Sequence, residues 1–506
     1  MKRLMAAAAL ASGMLLAFTS SALASSVVPV SGSGSPYASC STNSGSPAGV
    51  NFLSAEVEPF VSVNPAKSGN IIGVFQQDRW SNGGARGLVA GFSSDGGAHW
   101  DTRTLPFSVC APNAILDPFT GAPYNRASDP WVSIGPDGTA YSVGLLATNT
   151  SFAGGGNNDT GVAVVTSTDN GSGWGNARLV KSDQGTSPVF EFTQFFNDKE
   201  SVTADPVHAG TAYVVWDRTV SPSHSPDANL KSPAFRGPTW FSKTTDGGFS
   251  WSTARPIFDP GQNRQTIGNE VVVDPRTGAL YDFFDLFTST GPKPVGDHVG
   301  VIKSTDGGAT WSDVTVVANE QDVTDVDPNT GQPLRTGEGL PAATIDPATG
   351  QLYVVWTDAR FTAGQFNQVV LSTSTDGGST WSSPAVVSTS TNRPSFTPTV
   401  AVSTTGEVGV TFYDLRNLVA GNTATLPTDY WLKTSSRGGG NFSSEVHVAG
   451  SFNMLVAPNA GGLFLGDYVG LATAGTAFRP FFTQTNCANS SCAEPNDPTD
   501  IVTASF

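Results

Sequence analysis

The sequence predicts an all-β fold, and three observations predict it. An octapeptide close to Ser-Thr-Asp-Gly-Gly-x-x-Trp recurs at intervals of 60 to 77 residues. Short apolar or alternating runs, punctuated by Gly, Pro, Asn and Asp turns, recur in step with it. After the first 24 residues no extended stretch carries a helical period. An array of this kind buries its core only by packing unit against unit. Seven four-stranded antiparallel units in a ring, a seven-bladed β-propeller, satisfy that need and leave few exposed strand edges; six blades is the alternative.

Taken along the chain, residues 1–24 read as a secretory signal. Lys2 and Arg3 give the positive start, an apolar run follows from Leu4 to Phe18, and Ala22-Leu23-Ala24 offers a small-residue cleavage site. Residues 25–55 are expected to donate the strand that closes the ring, because the seventh unit ends one strand short. Residues 56–506 then hold the repeats as one domain. Five octapeptides begin at Ser93, Ser167, Thr244, Ser304 and Ser374; a sixth, Ser435 to Phe442, has Arg437 where the others have Asp. In the fifth unit the pattern reads PAATID, the turn PATG, QLYVVWTD, NQVVLSTS, the octapeptide and SSPAVVS. The first two runs and their turn occur seven times, the turns starting near Asn64, Gly135, Asp205, Asp274, Asp346, Ser403 and Ala472.

Within an octapeptide the Asp can accept backbone N–H bonds across the third-to-fourth strand turn, a Gly can take positive φ, and the Trp can pack between layers. Identical residues on separate units cannot converge on one substrate, so the repeat is expected to hold the fold rather than react.

Composition narrows the partners. Charged residues are only 13% of the chain, and the net charge is −16. That charge argues against nucleic acid and anionic membrane surfaces, while local arginines can still admit an anionic sugar. The chain is expected to be exported and monomeric. The four cysteines suit an oxidising compartment: Cys487 and Cys492 are near enough to clip one loop, leaving Cys40 and Cys110 as the expected second pair among three formal pairings.

The pattern S-x-D-x-G-x-x-W, in five copies over most of the chain, resembles the Asp-box or BNR repeat of sialidases and other secreted propeller proteins. That resemblance implies the propeller. It leaves activity open, since such propellers include glycosidases, polysaccharide lyases and non-catalytic binders.

If the octapeptide turns mark the bottom of the ring, charges gather at the top. Asp78/Arg79, Asp217/Arg218, Asp358/Arg360 and Asp414/Arg416 end second strands; Glu58, Asp129, Lys199/Glu200, Glu270, Glu338 and Asp467/Tyr468 start first strands. Sialidase-type chemistry needs arginines for a carboxylate, a Tyr activated by an acidic neighbour, and an acid for the leaving group. The resemblance therefore assigns Tyr468, Glu270 and Asp129 to catalysis, and Arg79, Arg218, Arg360, Arg416 and Glu200 to an acidic glycan. No cofactor is required, although a structural cation such as calcium is compatible with the axial carboxylates. Two departures stand out: seven units where sialidase domains have six, and no first arginine motif. The four Asp/Arg pairs equally fit repeated salt bridges, and hence a non-catalytic binder. A lyase would need Tyr124 or Tyr468 as base, since of the histidines only His224 and His298 approach the top loops.

Overall fold

The structure, a computed structural model, describes residues 27–32, 34–40, 49–148, 159–185, 194–221, 236–261, 264–289, 294–390, 392–486 and 498–506. The signal segment, Cys487, Cys492 and His224 lie outside them. The described chain is all-β, its sheets antiparallel apart from one two-residue parallel pair, Leu334–Arg335 with Leu463–Phe464; its helix amounts to two three-residue turns, Arg360–Thr362 and Met454–Val456.

The strands fall into four-stranded groups in chain order. The first is Glu56–Val63, Ile71–Arg79, Ala85–Ser93 and Asp101–Thr104; the second is Arg126–Ile134, Ala140–Ala147, Thr160–Ser167 and Arg178–Asp183. One bridge, Ala85 to Ala127, joins these two. The third is Gln194–Ala204, Ala212–Ser221, Thr239–Thr244 and Arg255–Phe258; the fourth is Arg264–Val273, Leu280–Ser289, Pro294–Ser304 and Thr315–Asn319. The fifth is Ala342–Ile345, Leu352–Asp358, Gln368–Ser374 and Ala385–Val386; the sixth is Ser395–Val402, Val408–Asp414, Pro427–Ser435 and Val446–Asn453. The last joins Gly470–Ala474, Ala477–Thr485 and Thr499–Thr503 to Val28–Pro29.

The second strand of each group is apolar on both faces, because successive side chains point to opposite neighbours. Leu352, Val354 and Trp356 pack with Tyr281 and Phe283 of the fourth group, whereas Tyr353 and Val355 pack with Val400 and Phe412 of the sixth. The same alternation recurs around the molecule, and it returns to its start: Phe481 and Ile501 of the last group pack with Ile71 and Phe75 of the first. Gly73 permits that approach, since a Cβ there would lie 2.1 Å from the Phe481 ring.

The octapeptides form the third-to-fourth strand turns. Asp306 Oδ1 accepts the Thr310 N–H (2.9 Å) and the Ser304 hydroxyl (2.8 Å), and Ser304 Oγ accepts the Gly308 N–H (2.9 Å). Asp246 and Asp376 repeat the clasp, and these bonds, from the Ser250 or Thr hydroxyl first, hold the three carboxyls down to about 2. The Trp packs backwards, Trp311 onto Phe241 and Trp381 onto Phe283, so the motif ties each turn to the preceding group. In the sixth copy Arg437 instead donates to the Asp346 carboxylate. A disulfide joins Cys40 to Cys110 with Cα atoms 5.5 Å apart.

Candidate active site

The first strand of five groups carries a β-bulge, two of its residues opposing one on the second strand. A residue at positive φ sits in each: Glu58 (53°), Asp129 (50°), Lys199 (48°), Gly268 (71°) and Thr397 (49°). Such conformations are strained for side chains other than Gly, and they re-aim the strand's side chains. Proline follows Glu58, Asp129 and Thr397, as suits a position that gives up a ladder bond.

The bulges feed one central cavity of about 270 Å³, whose walls include Phe60, Trp131, Glu200, Glu270 and Tyr468, with Lys199 and Asp467 at one end. Phe60 stacks on Trp131 at 3.4 Å between ring centroids, and Trp131 lies 5.2 Å from Tyr468.

The charged end is densely bonded. Arg335 grips Asp467 with Nε (3.0 Å) and Nη2 (2.5 Å), and Lys199 Nζ lies 2.6 Å from Asp467, 3.6 Å from Glu58 and 3.8 Å from Asp129. Gln76 donates to Glu58 and to Ser128 Oγ, and Ser128 donates to Asp129 (2.9 Å). Burial opposes ionisation throughout, yet Arg335 and Lys199 hold Asp467 well below the usual carboxylate range, and Lys199 holds Asp129 low. The surrounding carboxylates in turn keep Lys199 charged against its burial. Glu58 goes the other way: burial, then Asp129, pushes it up to about 8.

Burial raises two of the cavity carboxyls. Glu200 is buried with neither oxygen hydrogen-bonded, and burial followed by the charge of Asp129 raises it well above the ordinary range. Glu270 accepts only the Ala343 N–H (3.0 Å), and burial pushes it up to about 8. One cavity thus brings carboxyls raised by burial beside a carboxylate, Asp467, held low by its cations.

Of the residues expected from sequence, Tyr468, Glu270 and Glu200 line this cavity, Asp129 lies in the charged cluster, and Arg79 is buried beside it. Arg79 donates to Gln76 Oε1 (2.7 Å) and lies 4.7 Å over Phe464, so it stands behind the site rather than facing a ligand. The other three arginines are not brought there. Arg218 forks onto Asp183 (2.7 and 2.6 Å) and stacks on Phe195. Arg360 forks onto Asp358 (2.8 and 2.6 Å), and Arg416 holds Asp414 and Glu445 over the Trp431 ring. A guanidinium takes a nearby carboxylate as two parallel bonds, which is where these strand-end arginines go. Asp217 is not Arg218's partner: it accepts from Thr266 (3.0 Å), Asn269 and the Gly268 N–H (3.1 Å), bracing the bulge before Glu270.

Tyr468 is not placed as an activated nucleophile. Its hydroxyl donates to the Pro130 carbonyl (3.0 Å), and burial, then Glu58 and Asp129, raises the phenol well above its ordinary value. Tyr124 bonds Ser182 (2.9 Å), burial raises its phenol well above the ordinary value, and it lies outside the cavity walls, where His298 is absent too. Among the described residues no three His, Cys, Asp or Glu are arranged to hold a metal ion.

Sequence reasoning missed Arg335, which lies in the segment between the fourth and fifth groups. A short parallel pairing of Leu334–Arg335 with Leu463–Phe464 delivers it to Asp467. The overlooked signal for the bulges was the recurrent acid or Thr followed by Pro inside an apolar strand.

No protein-family model matches the chain, and no curated protein matches it in sequence. Solved structures do. The Hadza microbial sialidase Hz136 is 16% identical, with 71% of this chain aligned to 63% of that one and a TM-score of 0.42. The Penicillium chrysogenum α-L-arabinanase complexed with arabinobiose is 12% identical over 76% of this chain and 94% of that one, with a TM-score of 0.43. The Trypanosoma rangeli sialidase is 13% identical over 95% of this chain and 58% of that one, with a TM-score of 0.45. The chain thus spans less than two thirds of the length of both sialidases. Among the described residues no helix is long and apolar enough to cross a membrane.

Proposed function

We propose that the chain is a closed seven-bladed β-propeller whose central cavity is the active site of an exported, glycan-active hydrolase. The ring is supported by the unbroken series of cores, which ends with the last group packed on the first. Export is supported by the Cys40–Cys110 disulfide, a link kept in oxidising compartments.

The observation that carries the hydrolase reading is the split among the buried carboxyls: burial raises Glu200 and Glu270 in the cavity wall, while cations hold Asp467 at its end, and Asp129 in the adjoining cluster, low. Glycoside cleavage needs this pairing, a neutral acid to protonate the leaving oxygen and a carboxylate to stabilise or trap the positive sugar ring. Glu270 and Glu200 are the acids in this reading, Asp467 is the ionised partner fixed by Arg335 and Lys199, and the Trp131 and Tyr468 rings form a wall for a sugar face. The cavity is at the small end of ligand pockets, about 300 Å³ and upward, which suits one terminal sugar and so exo-cleavage. Lys199, at the cavity's end, is the cation an acidic sugar would meet there, the narrower sialidase-like form of the same reading.

A panel of chromogenic glycosides, acidic and neutral, tests this. Turnover should occur and should drop at least a hundredfold in Glu200→Gln or Glu270→Gln, while Tyr468→Phe should keep most of it. One observation favours a second reading: the cluster's cations are already partnered by its own carboxylates, as in a propeller that binds a glycan without cleaving it. Calorimetric binding of a sugar that no assay shows to be cleaved would decide for the binder.

A further inference from the structure

The octapeptide turns differ in size at their sixth position, and the difference opens the outer surface. The sixth residue is small in four copies, Ala98, Ser172, Ala309 and Ser379, and is Phe249 in the third group. Where it is small, an arginine can close the junction between groups. Arg103 Nε donates to the Ser172 carbonyl (2.9 Å), and Arg255 donates to the carbonyls of Gly308 and Ala309, the latter at 2.8 Å. Arg178 follows Trp174 by four residues, as Arg255 follows Trp251. It lies instead 5.3 Å over the Phe249 ring.

An open cleft of about 590 Å³ remains between the second and third groups, walled by Arg178, Lys181, Trp240, Phe249, Ser250 and Trp251. None of these residues lines the central cavity. Phe249 is 75% exposed, and exposed Arg178 makes no ion pair among the described residues. Lys181, held by Asp183 at 2.8 Å, sits 5.6 Å over Trp240.

We infer that this cleft binds a stretch of uronate-bearing polysaccharide, independently of the central cavity. Aromatic faces pack on the apolar C–H face of a pyranose, and the Arg178 guanidinium matches a sugar carboxylate with two parallel bonds. The Ser250 hydroxyl, whose proton goes to Asp246, keeps its lone pairs to accept from a ring hydroxyl. The chain's net charge of −16 opposes every polyanion alike, so selection of the uronate polymer rests on the aromatic wall and the Arg178 fork rather than on charge density. The open shape admits the middle of a chain, where the central cavity takes one ring.

The test is affinity electrophoresis of the full chain through gels containing polygalacturonate, neutral galactan or single-stranded polyuridylate. Polygalacturonate alone should retard it, less so at 0.5 M salt. Phe249→Ala and Arg178→Gln, both at exposed positions, should each weaken that retardation about tenfold without moving the melting temperature. No retardation, equal retardation of the variants, or equal retardation by galactan or polyuridylate would overturn the inference. Glu200→Gln should migrate as the wild type, so failure here and failure of the hydrolase reading are read separately.

Discussion

Replacing Lys199 by Met would show how far the central charges hold the fold. The ammonium is almost fully buried, 2.6 Å from Asp467 and within 4 Å of Glu58 and Asp129. Removing one partner of a buried pair leaves the other uncompensated and costs about 3 to 5 kcal/mol. At about 2.1 cal/mol/K per residue, the unfolding entropy of 506 residues comes to about 1.1 kcal/mol/K. The melting temperature should therefore fall by about 3 to 5 °C at pH 7. The gap should narrow on acidification. In the wild type Asp129 and Asp467 have depressed values, so their contribution persists at any pH above the unfolded carboxylate value of about 3.9. In the variant Asp129 loses its cation and rises, while Asp467 keeps Arg335, so the folded form takes up a proton at Asp129 and recovers stability as pH falls from 7 towards 4. Scanning calorimetry at both values measures this. A drop below about 1 °C at pH 7, or a gap unchanged at pH 4, would refute the argument that Lys199 neutralises the site.

Three further outcomes are expected. Gly73→Ala should cost about 1 to 3 kcal/mol by driving a methyl into Phe481, and Phe481→Leu should relieve part of that; strict additivity in a denaturation cycle would mean that the first and last groups do not touch. Cys40→Ser opens a loop of 70 residues and should cost about 4 kcal/mol, visible as a lower urea midpoint that reductant shifts much less than it shifts the wild type's. Turnover of any cleaved glycoside should fall as pH rises through about 8, where Glu270 gives up its proton; a rate still flat at pH 9.5 would remove it as the acid.

The sheet pattern was legible because it is local. The run QLYVVWTD is strand from Leu352 to Asp358, and the turn before it closes on its own Asp346, which accepts the Ala348 N–H at 2.9 Å. The five octapeptides announce their turns for the same reason, the acceptor and its donors lying within four residues. The acids and Tyr468 were placed in the cavity because first strands run nearest the middle of any such array. Arg360 and Arg416 take the strand-end Asp two residues before them, as the pairs in the sequence allowed, but other partners are chosen in space. Arg218 takes Asp183 from the preceding group, and Arg335 takes Asp467 from 132 residues away. A sequence shows which cations exist, but not which of them folding leaves uncommitted.

The pairing of Val28 and Pro29 with Thr503 and Val502 has a consequence in time. Proteins are made from the amino terminus at about 5 to 20 residues per second, so about 20 to 90 seconds separate the emergence of Ile71 and Phe75 from that of Ile501. Throughout that interval one apolar flank of the first group waits for a cover that has not been synthesised, while every other junction can dock as its two neighbours arrive. The nascent chain is therefore adhesive along one seam for most of its production, and a holding factor that shields residues 56–104 should serve it better than one that binds any later segment.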